Sequence, residues 1–244
     1  MSRLLLLVLL SLGFTTLHAQ HLDTLRRKDA NGWTFIQVRN NGIVLTEGRE
    51  HDHIPEGVWT TFWDNGFPHN MVTYRNGKRD GVSLKITRDG YTELVENYVN
   101  DLLEGPRRTY NRSAAASEEA YFSEGKKSGA YISRYDNGQK REESNYNNDV
   151  RDGKTYYYNQ DGQKSAEYTW ERGVIQGDVS TFHPNGKISE FGMYSNDNQE
   201  GVWKEFYPSG TLKAEGKYVA GKKKGPWKQY DEQGKALKTI NYGK

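Results

Sequence analysis

The sequence predicts an all-β protein: an elongated, curved array of antiparallel β-hairpins joined as a single meander. Three observations carry that prediction. Glycine recurs every 24 residues, at Gly57, Gly81, Gly105, Gly129, Gly153, Gly177, Gly201 and Gly225. Between successive glycines lie two short runs rich in aromatic, Val and Thr residues, separated by turn residues. After the first twenty residues, no segment carries a sustained helical period with caps.

A fixed period of this kind marks a repeat architecture. GVWTTFWDNG (57–66) returns as GVWKEFYPSG (201–210), six periods later. Counting the period glycine as position zero, position nine is Gly66, Gly90, Ala114, Gly138, Gly162, Gly186, Gly210 and Gly234. Position seventeen is aromatic in every unit, from Tyr74 to Tyr242, and position five runs Phe62, Ile86, Tyr110, Arg134, Tyr158, Phe182, Phe206 and Tyr230. Position twenty alternates strictly between Gly and Asp, from Gly77 and Asp101 to Asp197 and Gly221, as though pairs of units were duplicated together.

Three regions follow. Residues 1–19 read as a secretory signal: Arg3 precedes an apolar run from Leu4 to about Phe14, and Ala19 supplies a small residue for cleavage. That run is short for a bilayer span. The mature chain is therefore expected to be exported, in the periplasm, at the cell surface or outside, with no transmembrane segment left after cleavage. Residues 20–56 form an N-terminal cap with one degenerate repeat, begun by Gly32 and Trp33 with one extra residue before Gly57. Residues 57–244 hold eight regular units.

Each unit reads as a hairpin. DNG (64–66), PNG (184–186) and PSG (208–210) fit a three-residue loop whose glycine takes the left-handed bulge position, with proline presetting the first corner. A second turn, such as NGK (76–78), joins one hairpin to the next. SAAASEEA (113–120) reads as a distorted hairpin, with a short helical insertion as the alternative. A three-residue loop pairs position six with ten and five with eleven. Positions five, eleven, thirteen, fifteen and seventeen then share the core face. Positions zero, two, four, six, ten, twelve and fourteen share a polar one, and a two-residue loop would swap this parity. Sixteen strands at about 4.8 Å each make roughly 75 Å of sheet, wide enough to coil.

Composition narrows the function. The 244 residues carry 34 Lys+Arg against 32 Asp+Glu, a balance that argues against nucleic acid and against electrostatic capture by anionic lipid. There is no cysteine, hence no disulfide, thiol nucleophile or thiolate metal site. His51, Asp52 and His53 lack a fixed third ligand and read as a solvated loop, so no metal is expected. Carboxylate pairs such as Glu118 and Glu142 recur along any such repeat and mark no acid–base site. No nucleophile-elbow, zincin or phosphate-cradling motif occurs, so the chain reads as a non-enzyme with no catalytic residues and no cofactor. On the expected polar face, Trp59, Trp63 and Phe67 near one end, and Trp203, Tyr207 and Trp227 near the other, form aromatic clusters suited to partner contact.

The unit G-x-W-x-x-[FY]-x-x-[DNS]-G resembles the variant MORN repeat of bacteria, most clearly in 57–81 and 201–225, and the resemblance extends over roughly 32–244. It implies stacked hairpins in a curved sheet and no catalytic residues, because such arrays serve as scaffolds and binding surfaces. A protein partner of unknown identity in the cell envelope is the leading expectation. An antitoxin or immunity role against a toxin, and a glycan- or cell-wall-binding module, are the alternatives. Antitoxins of this repeat class act in the cytoplasm, and the export signal departs from that pattern.

Overall fold

The computed structural model describes residues 22–243; the signal reading of 1–19 lies outside them. The described chain is strand and turn, with no helix. Its 22 strand segments pair antiparallel in chain order into one open sheet, from Leu22–Lys28 at one edge to Ala236–Tyr242 at the other. Two-residue segments at Leu102–Leu103, Val150–Arg151 and Val174–Ile175 lead into longer strands that begin at the position-zero glycine, across a one-residue break just before it. Merged with those strands, the eight regular units contribute sixteen strand courses. Position zero lies in an irregular stretch of strand and not in a turn, as at Gly81 and Gly129, where the register shifts.

Two turn types alternate, and both follow from residue chemistry. At the loop tip, Gly66 N–H donates to the Trp63 carbonyl at 3.0 Å and Trp63 N–H donates to the Phe67 carbonyl at 2.8 Å. Three residues are enclosed, and the third has φ +84°. Ala114 fills the same place at φ 58°, with the same pair of bonds from Asn111 and Ala114, so SAAASEEA is a regular hairpin and not a helix. Gly186, at φ +80° with nothing within 4 Å of an added Cβ, isolates the conformational term. Gly186→Val is expected to lower stability by about 1–3 kcal/mol, since a β-branched residue there is strained. Lys187→Val should change little. Equal melting temperatures for the two variants would refute the turn assignment.

The second turn has two residues, both at positive φ, as in Asn76 and Gly77 at 50° and 77°. That is the twist-matched connection favoured between antiparallel strands. Each such turn also stacks on the one before it. The N–H of position twenty donates to the carbonyl of position 22 one unit earlier, from Gly77 to Pro55 (3.0 Å) through Gly221 to Gln199 (3.0 Å). The Gly/Asp alternation is explained here. Asp101, Asp149 and Asp197 accept from the backbone N–H of Arg79, Lys127 and Ile175 in the preceding unit. The intervening glycines leave room for a side chain from the preceding turn: an added Cβ on Gly77 would lie 3.1 Å from Ile54, and on Gly173 2.8 Å from Val150. Neighbouring units therefore differ in kind, and the structural period is two units.

The loop-tip pairings expected from the sequence hold: Phe62 pairs with Pro68, position five with eleven. One residue further, the register slips. Thr61 pairs with Asn70, leaving His69 bulged, and the same slip recurs in all eight units. A single inserted residue reverses which positions share a face. Position thirteen now shares a face with four, fifteen with two and seventeen with zero. Positions thirteen, fifteen and seventeen do line the core, as expected. Position five does not: it lies on the opposite face with positions one, three, eleven, fourteen and sixteen. Tyr158 and Tyr230, both at position five, donate there to Glu143 and Glu215. Position two, placed on the polar face by the sequence parity, is the centre of the core.

The worn first repeat aligns through its register. Ile36 pairs with Gly48 and is 5 % exposed, which makes it the position-two residue. A two-residue turn at Asn41–Gly42 closes this hairpin, and Gly32 lies in the loop before it.

Candidate binding faces

The inner face is a column in which large and small side chains complement one another. Trp203 (3 % exposed) and Trp227 (2 %) lie over Gly192 and Gly216, and Ala214 completes the buried cluster. Their indole N–H groups donate to the Met193 and Lys217 carbonyls, each at 3.2 Å. Tyr194, Trp203, Tyr218, Trp227 and Tyr242 form a continuous edge-to-face ladder with centroids 5.2–6.3 Å apart. Each such contact adds about 0.5–1.5 kcal/mol beyond area burial.

Towards the middle of the array the same column turns polar. Arg107 bridges Glu96 at 3.0 Å and Glu118 at 3.3 Å, and Tyr131 donates to Glu118. Arg151 pairs with Glu142, beside the fully buried hydroxyls of Ser133, Ser144 and Thr155. Tyr98 donates to Glu96, and burial together with that carboxylate pushes its phenol up to about 12. Cations at position 22 lie over the rings: Arg79 over Tyr98 at 4.1 Å, Lys127 over Tyr131 at 4.5 Å.

The six residues singled out from the sequence fall into three places. Trp59, Trp203 and Trp227 belong to the core column, which corrects their assignment to an exposed face. Trp59 is half-buried, lies over Gly48 and donates to the Arg49 carbonyl at 2.9 Å. Trp63 and Tyr207 tie one loop tip to the next, donating to the carbonyls of Ile86 and Tyr230 at 2.9 Å. Tyr135 and His183 make the same bond at position six, while Asn65, Asn137 and Asn185 make a parallel one at position eight. Phe67 alone is widely exposed, at 51 %, and lies beside Gly90. The structure therefore assembles neither three-residue surface cluster. His51 and His53 lie beside Asp52 and Glu50 at 3.3 Å, at a turn, and no set of three metal-ligand side chains converges among the described residues.

On the outer face most units carry ionic pairs. Glu119 accepts from Arg108 and Arg134, and those bonds hold its carboxyl below the usual range. Glu143 is held low by Lys140, and Glu167 by Lys154 and Lys164. The sixth unit breaks this pattern. Position fourteen is Phe191 and position sixteen Met193, and Val202 follows at position one of the next unit. These three are 40 %, 42 % and 62 % exposed. Lys204 stands opposite Phe191, Lys217 opposite Val202 and Asp178 opposite Met193. The sequence parity already placed position fourteen on the polar face, but Phe191 was not singled out there. The signal that could have found it was Phe191 standing between Glu167 and Glu215 at position fourteen.

A hairpin-repeat protein of one open sheet, cored by stacked position-two and position-seventeen aromatics, is what the fold and its faces define. The family model for the MORN repeat variant matches residues 127–148 and 199–220, which begin three periods apart in the same phase of the unit. Two of its units thus match the MORN repeat variant, a repeat type whose arrays are typically binding modules. No curated protein matches the chain.

Proposed function

We propose that the chain is an exported, non-enzymatic binding or scaffold protein of the cell envelope, and that its outer face at Phe191, Met193 and Val202 takes a protein partner. One observation carries the docking assignment. Three large apolar side chains stand exposed together on the outer face between Glu167 and Glu215 of the flanking units, and they lie outside the buried core. Such side chains within a charged rim are the usual make-up of a contact patch. The leader-like layout of residues 1–19 supports export.

The test is affinity capture from the cell-envelope fraction, comparing the mature chain with its Met193→Asp/Val202→Asp variant. The variant should melt like the parent, because both side chains are solvent-facing. It should lose the captured partner by at least about thirtyfold in affinity, the scale of a buried contact residue. Undiminished capture would reject this face. A chain recovered from the envelope with Met1 intact would reject export; one beginning near Gln20 is expected.

A further inference from the structure

Lys223 occupies an aromatic box built from its own repeats. Its ammonium lies 3.7 Å from the Trp227 ring centroid, with Tyr242 at 5.8 Å and Tyr218 at 6.0 Å. The Glu205 carboxylate is 3.5 Å away. The walls are steep: Tyr218 and Trp227 meet at 87°, Trp227 and Tyr242 at 83°.

One period earlier the same box is built again. Tyr194 and Trp203 meet at 77° with centroids 5.5 Å apart, and Trp203 and Tyr218 at 70° and 5.6 Å. Gln199 pairs with Tyr194 as Lys223 pairs with Tyr218, so the place of the internal cation is taken by a neutral amide. The place of Glu205 in that box is Thr181 here, but two other positions of the inner face supply carboxylates. Glu190 and Glu205 stand directly opposite each other on the inner face. Glu190 is exposed and has no cationic side chain within ion-pair distance among the described residues, while Glu205 is shared with Lys223 of the next box. Burial raises the phenols of Tyr194 and Tyr218; the charges of Tyr168 and Glu190 add to the first, those of Glu205 and Glu190 to the second. Like charges directly opposite on a sheet repel. A cation over indole, flanked by carboxylates, relieves that repulsion and gains from the ring quadrupole.

We infer that the box formed by Tyr194, Trp203 and Tyr218, with Glu190 and Glu205, is a site for an alkylammonium cation. The ligand displaces the Gln199 side chain and takes the place that Lys223 fills in the next unit. A lysine side chain of a bound protein and a free amine present the same chemistry. The site lies on the face opposite Phe191, Met193 and Val202, so it stands or falls independently of that patch.

Calorimetric titration of the mature chain with n-butylammonium chloride, against sodium chloride at equal ionic strength, tests the site. Saturable binding of the amine alone is expected. If Nα-acetyl-lysine amide binds as tightly, the source can be a partner's lysine; if only butylammonium binds, the site takes small free amines. Gln199→Lys should fill the box internally and abolish binding while preserving the melting temperature. Glu190→Gln should weaken binding about tenfold, and because Glu190 is exposed this variant should fold even if Gln199→Lys does not. No saturable heat at about tens of millimolar amine, or unchanged affinity in either folded variant, overturns the site.

Discussion

Trp203→Ala is expected to destabilise the protein by about 3–5 kcal/mol, the range for truncating a buried large aromatic. The side chain is 3 % exposed, it covers Gly192, and it is the rung of the aromatic ladder between Tyr194 and Tyr218. The residue directly opposite it is Gly216, and Gly192 lies beneath its ring, so neither offers a side chain to fill the gap. Its loss also orphans the Met193 carbonyl on that side of the ring. Units of a linear array contact only their neighbours, so the damage should be local. Hydrogen exchange should accelerate across roughly residues 177–242 and stay near parental values in the first two units. Trp63→Ala offers the contrast, removing one loop-tip hydrogen bond from a half-buried ring. Should Trp63→Ala melt below Trp203→Ala, the inner face assigned here is not the core.

That contrast reverses what the sequence implied, and the reason is small. The period, both turn types, the meander and the core role of positions thirteen, fifteen and seventeen were all legible, because glycine, Asn-Gly and aromatic residues each have a local conformational reason to recur. The faces of the first strand in each unit were not. They depend on one bulged residue at position twelve, occupied by His69, Ser117, Lys213 and others with nothing in common. A bulge that any residue can fill leaves no mark in a single sequence. What could have exposed it was volume. Trp59, Trp203 and Trp227 each follow a glycine at position fifteen of the preceding unit, whereas Thr155 follows Ser144 and Arg107 follows Glu96. Large beside small and cation beside anion is the pattern of a packed column, not of two unrelated surfaces. Phe191, at position fourteen, already stood on the face expected to be polar, and it went unmarked because a lone Phe between Glu167 and Glu215 carries no periodic signal.

Gly216→Ala should be as damaging as many larger changes, at about 3 kcal/mol, the upper end for adding one methyl to a tight core. The cause is purely steric. Gly216 has none of the positive φ found at the turn glycines, yet a Cβ there would lie 2.3 Å from the Cδ2 and Cε2 atoms of Trp227. The ring has little freedom to retreat. Its N–H is held by the Lys217 carbonyl, Lys223 sits over its centroid at 3.7 Å, and Tyr218 and Tyr242 stand against it. Gly210→Ala provides the opposite case, with φ +89° and only the flexible end of Lys187 nearby, so it should cost about 1 kcal/mol through the backbone alone. The decisive measurement is the double variant Gly216→Ala/Trp227→Leu. If volume complementarity holds the column together, the second change removes the clash that the first creates. The pair should then be more stable than the sum of the single effects by about 1–3 kcal/mol. Strict additivity in denaturant melts would show that the glycine serves the backbone and that the indole merely lies near it.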